Sequence, residues 1–138
     1  MNTSSSLSFL ARGHAFPSAS LTLTRAEVDA YLDAVGHDVV PAISRACVPP
    51  VATAAFALRE LLAVFDLPGG SVHTSEEVDW VRPARIDELL RCESTVVQAS
   101  DRQGYRFATI EQRLVDTTGQ AIMIARSSIM SPLENDGV

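Results

Sequence analysis

Residues 49–84 read PPVATAAFALRELLAVFDLPGGSVHTSEEVDWVRPA, and the hydrophobic period changes inside them. Pro50 suits a first helical position, and the run from Val51 to Phe65 is helical by propensity. Its first eight residues hold only one weakly polar side chain, Thr53. A helix apolar all round is buried all round. This one is therefore expected inside a core, with only the Arg59, Glu60 and Asp66 end reaching solvent. LPGG (67–70) ends it, and from residue 71 the period becomes two. SVHTSEEVDWVRPA (71–84), LLRCESTVVQAS (89–100), YRFATIEQRLVD (105–116) and QAIMIARSSIM (120–130) read as four strands. The turn signals DRQG (101–104) and DTTG (116–119) make the last three a meander of hairpins.

Upstream, SASLTLT (18–24) is a short β-prone run, and TRAE (24–27) is a capping box that opens a helix. Val28, Tyr31, Leu32 and Val35 recur at helical spacing up to Gly36. The order is strand, helix, buried helix, four antiparallel strands. The economical packing is an α+β domain in which one curved sheet wraps around the buried helix.

The chain has 138 residues, enough for a single domain with its own core; 1–11 reads as a frayed arm and 133–138 as a frayed tail. It is 46% hydrophobic and 20% charged, as in soluble globular proteins. The net charge of −6 argues against nucleic acid as a partner, which needs a basic face. All eleven basic residues are Arg, which removes Schiff-base chemistry and a P-loop lysine. Cys47 and Cys92 form no CxxC and are expected as reduced, buried thiols of a cytoplasmic protein. His14, His37 and His73 are too scattered for a metal site. The N-terminus lacks the charged region of a signal peptide, and no run reaches the ~18 apolar residues of a membrane helix.

Taken together, these pieces resemble the hot-dog fold, and the MaoC-like dehydratase and (R)-specific enoyl-CoA hydratase group within it. LTLTRAEVDAYLDAVGHD looks like that group's opening strand, helix and Gly-Asp. PPVATAAFALRELL resembles the start of its central helix, HTSEEVDWVRPARIDELL its strand closing in RP and an acidic turn, and RLVDTTGQAIMIARSSIM its last hairpin. The resemblance covers residues 12 to 132. It implies pairing into homodimers or larger assemblies, and acyl thioesters of coenzyme A or an acyl carrier protein as ligands. The acyl chain would lie in a tunnel beside the central helix. No cofactor is implied.

Hydration of an enoyl thioester needs a base, an acid, and a donor for the thioester oxygen. The resemblance points to an Asp after the Gly, with a His five residues on, in a GDxNPxH pattern. Here Asp38 and Pro41 match, while Val40 stands for the Asn and Ile43 for the His. Asp38 is thus the candidate base, with His37 or His73 as its acid partner and amides at the start of the 50–65 helix as the oxyanion site. A polar helix-ending loop is the structural alternative for GHD, and a hydrogen-bonded seam residue the alternative for His73. Tyr31, Pro50, Val51, Trp80, Arg82 and Arg85 are candidate substrate contacts. For Tyr31 and Trp80 the competing reading is core packing; for Arg82 and Arg85 it is surface pairing with Asp87 or Glu88. A hot-dog thioesterase would show HGG before the central helix and a carboxylate within it; VPPVATAAFA has neither. The missing Asn and His also fit a non-catalytic partner subunit that shapes an acyl tunnel.

Overall fold

The computed structural model describes residues 5–7, 10–36 and 46–133. Strand β1 (Ser5–Ser6) pairs in parallel with β3 (Phe65–Asp66). The main sheet is antiparallel with the order β2 (Ala19–Thr22), β5 (Leu89–Arg102), β6 (Tyr105–Val115), β7 (Ala121–Pro132), β4 (Val72–Trp80). Helices α1 (Arg25–Val35) and α2 (Pro50–Leu62) complete the fold.

Local signals act where the sequence places them. The Thr24 hydroxyl accepts from the Glu27 amide at 3.2 Å and starts α1. Gly36 ends it at φ 77°, a left-handed conformation that glycine adopts without a Cβ clash. On the helix side of the sheet, Leu90, Cys92, Ser94 and Val96 of β5 alternate with outward polar residues. Ala108, Ile110, Gln112 and Leu114 of β6 do the same.

Helix α2 lies on that face. Ala52 and Ala57 share one apolar cluster with Leu90, Leu114, Met123 and Ala125, and Leu61 joins a second with Val96, Ile110 and Ile129. Gln112, 1% exposed, donates from Nε2 to the Ala57 carbonyl at 2.7 Å and to Ser94 Oγ at 3.3 Å. A sheet side chain thereby pins the middle of the helix.

Three sequence expectations are corrected. Helix α2 is buried on one face only: Val51 is 63% and Leu62 44% exposed, because the sheet covers one side. Cys47 is only partly buried, whereas Cys92 is buried, and burial pushes its thiol up from the ordinary value. The arm at 1–11 is not frayed throughout: Leu7 and Leu10 are buried against Phe16 and Phe65 in the second cluster.

Candidate active site

His37, Asp38, Val40, Pro41 and Ile43 lie outside the described residues. Both ends of their segment are placed. Upstream is Gly36, whose amide bonds the Asp33 carbonyl at 3.3 Å. Downstream, Ala46–Val48 is stitched to the loop after β4: Val48 N–H bonds the Ala84 carbonyl at 2.8 Å, and Ile86 N–H the Ala46 carbonyl at 3.0 Å. Helix α2 then begins at Pro50, preceded by Pro49 with no side-chain cap. Proline brings no N–H, and Thr53 N–H already returns to the Pro49 carbonyl. Val51 and Ala52 therefore carry first-turn amides that helix geometry leaves without an internal acceptor. Such amides can hold a developing oxyanion. Tyr31 packs half-buried on the first core cluster, its ring 6.3 Å from that of Phe56 on α2.

Strand β4 is one edge of the sheet, and its register slips between His73 and Ser75 against β7. Strict alternation would put His73 and Glu76 on opposite faces. The bulge at Thr74 reverses the parity. His73 then lies opposite Ile129, and Glu76 opposite Ser127, both helix-facing positions of β7. His73 Nε2 meets Glu76 Oε2 at 2.9 Å, and the Ser127 hydroxyl, fully buried, donates to the same oxygen at 2.6 Å. His73 also lines a cavity of about 80 Å³ between α2 and β4, with Leu58, Leu62, Leu67, Val72 and Ile129. The structure thus forms a hydrogen-bonded Ser–Glu–His chain beside an apolar hollow.

Arg82 is held at the other end of β4. It bonds Glu88 through two nitrogens, at 2.9 and 2.6 Å, and Asp116 at 3.0 Å. The bonds to Glu88 come first in raising the guanidinium's affinity for its proton and, conversely, in lowering the Glu88 carboxyl. Asp116 is held at about 2, first by the Thr118 hydroxyl and then also by Arg82 and the amides of Gln120 and Thr118. Arg85 is exposed, and its amide donates to Glu88 at 3.0 Å. Trp80 is 44% exposed, so it does not pack into the core as the structural alternative expected.

The structure brings His73 together with Glu76 and Ser127, which sequence reasoning did not connect. The spacing of His and Glu at i, i+3 hides the pairing, because a strand places them apart unless a bulge intervenes. Asp116 was also missed as the second partner of Arg82, from which it is 34 residues distant. Among the described residues, no group of three His, Cys, Asp or Glu side chains could hold a metal.

No family model and no curated protein matches the chain. Solved structures do. The MaoC-like dehydratase from Rhodospirillum rubrum superposes with TM-score 0.72 at 20% identity, over 94% of this chain and 97% of its own. The (R)-hydratase from A. caviae involved in PHA biosynthesis gives 0.69 at 20% identity, over 90% and 98%. The C-terminally truncated HadBC (3R-hydroxyacyl-ACP dehydratase) complex from Mycobacterium tuberculosis gives 0.65 at 15% identity, over 91% and 100%.

The chain has the hot-dog fold. Helix α2 packs on one face of the sheet, and β4 is one of the sheet's two edges. Both lengths are spanned almost fully, so the likeness is one of whole domains.

Proposed function

We propose that this hot-dog protein is a dehydratase or hydratase acting on a 3-hydroxyacyl or trans-2-enoyl thioester, carried by coenzyme A or an acyl carrier protein. The observation that carries this reading is the start of α2, which GHDVVP precedes in sequence. The Val51 and Ala52 amides of that helix's first turn have no intrahelical acceptor. Structural neighbours that bear the names MaoC-like dehydratase and (R)-hydratase support it. The setting is the cytoplasm, in polyketide or fatty-acyl assembly.

In hydration, Asp38 takes a proton from water as the water oxygen bonds C3. The C2=C3 electron pair shifts toward the carbonyl, whose oxygen gains negative charge against the α2 amides. C2 then takes a proton from the protonated imidazole of His37 or His73, which regains one from solvent as Asp38 releases its own. Dehydration runs the same steps backward. Tyr31, Pro50, Val51 and Trp80 flank the acyl group. The exposed Arg85 offers a cation to a phosphate of the carrier; Arg82 would join it only by releasing Glu88.

A second reading is favoured by one observation. Val40 and Ile43 stand where the resemblance expects Asn and His, as suits a non-catalytic subunit of a mixed complex. One structural neighbour, HadBC, is described as a complex, which supports the mixed-assembly part of this reading. Thioester hydrolysis is the third outcome to separate.

The test offers purified protein a short trans-2-enoyl thioester and follows enoyl absorbance and free thiol together, for wild type and Asp38→Asn. Absorbance loss without thiol, abolished in the variant, is the expected result. Thiol release would indicate a thioesterase. Silence from a folded protein that regains activity only with a sister subunit would indicate the partner role.

A further inference from the structure

We propose that His73, Glu76 and Ser127 form a polar subsite for the far part of the acyl chain, so that the preferred thioester bears a hydroxyl group well away from its carbonyl. The proposal rests on the hydratase reading above. It assigns His73 to the chain and leaves His37 as the acid for C2. Helix α2 and strand β4 bound the groove in question. Val51, Leu58 and Leu62 recur at i, i+7 and i+11, which puts them on one face of α2. On β4, Trp80, Val78, Glu76 and His73 lie opposite Met123, Ala125, Ser127 and Ile129, the helix-facing residues of β7. Val78 packs on the cluster that holds Ala52, while His73 lines the hollow with Leu58 and Leu62. The strand thus runs back along the helix from its last turn to its first.

The sheet register gives the depth of Glu76. Gln112, in one row with Ala125 and Val78, bonds the Ala57 carbonyl. The next helix-facing row is Ile110, Ser127 and Glu76, and Ile110 shares a cluster with Leu61. Glu76 is therefore level with the turn of α2 that carries Leu58, which lies about 10 Å along the helix from Val51 at 1.5 Å per residue. With carbon–carbon bonds of about 1.5 Å, an extended chain places a hydroxyl on about its eighth carbon that far from the carbonyl. Both bonds to Glu76 fall on Oε2, from His73 Nε2 at 2.9 Å and from the buried Ser127 hydroxyl at 2.6 Å. A carboxylate only accepts, so Nε2 carries the hydrogen, and Glu76 Oε1 and His73 Nδ1 remain as acceptors. Two acceptors suit a donating substituent: a hydroxyl fits, and a ketone does not. The Glu76 and His73 side chains are 29% and 41% exposed, open enough for a ligand to reach. Leu62, Leu67 and Val72 then line the apolar end of the hollow.

The experiment measures binding apart from turnover. Nonanoyl, 8-hydroxynonanoyl and 8-oxononanoyl groups are joined to pantetheine, the arm common to both carriers, through a ketone that cannot be hydrolysed. Calorimetry on the wild type should show the hydroxy compound binding about tenfold more tightly than the other two. Glu76→Gln keeps an oxygen for Ser127 and His73 but turns the remaining acceptor into an N–H donor. The preference for hydroxyl over ketone should then vanish, with the ketone gaining. Glu77→Gln, one residue along on the opposite face, controls for the loss of charge and should leave all three affinities unchanged. Equal affinities in the wild type, a preference for the ketone, binding by none of the three, or a hydroxyl preference that survives Glu76→Gln overturns the proposal. The matching trans-2-enoyl thioesters are then assayed for hydration. A wild type that prefers the hydroxy ligand yet is silent on every enoyl thioester supports the subsite while overturning the hydratase reading.

Discussion

Arg82 shows how one side chain can close a loop that backbone bonding leaves open. Its fork spans Glu88, six residues on, and Asp116, in the β6–β7 turn. Replacing Arg82 with Leu leaves two carboxylates facing each other without their cation. Loss of charge-assisted bonds of this kind should cost about 1–3 kcal/mol, read by urea unfolding at neutral pH. Acid should act on the same residues. Asp116 is held at about 2 in the folded chain against an ordinary 3.8, and Glu88 is likewise lowered from 4.5. The unfolded chain thus binds these protons first as pH falls, so their contribution is complete above about pH 5 and is lost progressively toward pH 2. Unfolding midpoints measured from pH 7 to 2.5 should fall less steeply for Arg82→Leu than for wild type. The Glu88 partnership was legible in RPARIDE, where charge and turn lie side by side. Asp116 was not, because nothing in DTTG names a partner 34 residues away.

At the scale of elements, period and punctuation were readable because each depends on neighbours in sequence. Thr24, Gly36 and Pro50 mark helix ends, and alternation marks the four long strands. What alternation concealed is the defect in it. The slip at Thr74 sets which face His73 occupies, and it arises from pairing with β7 rather than from a local signal. The apolar pattern of α2 likewise says that it must be covered, without saying by what. Gln112 is the contact that fixes α2 to the sheet, a polar group inside an apolar layer, satisfied by the Ala57 carbonyl and Ser94. Gln112→Ala would open a cavity under the helix and strand those groups. We expect a loss of about 2–4 kcal/mol in denaturant unfolding. Gln112→Glu should be costlier than its shape suggests, since a carboxylate cannot donate to the Ala57 carbonyl and its charge would be buried.

At the scale of the molecule, the exposed surface is the clue that the single chain leaves over. Strand β4 is an edge of nine residues, exposed at every position but Val78. Long open edges invite pairing unless something covers them. Val72 and Trp80, at its two ends, are 47% and 44% exposed, and Val51 and Leu62 leave part of α2 bare. A homodimer, as the sequence resemblance implies, would cover this edge by pairing two copies of β4 into one continuous sheet. The strand also bears Glu76, Glu77 and Asp79, so two copies bring like charges together. Salt should therefore strengthen the self-association, because screening weakens repulsion more than it weakens apolar burial. Light scattering should give twice the chain's 14.8 kDa, with the dimer fraction rising between low and moderate ionic strength. Trp80→Glu adds a charge at an exposed position that the isolated chain tolerates, so it should lower the dimer fraction while leaving the unfolding of the monomer nearly unchanged. A monomer at every salt concentration would instead suit an edge matched to a different chain, with basic residues where this one is acidic.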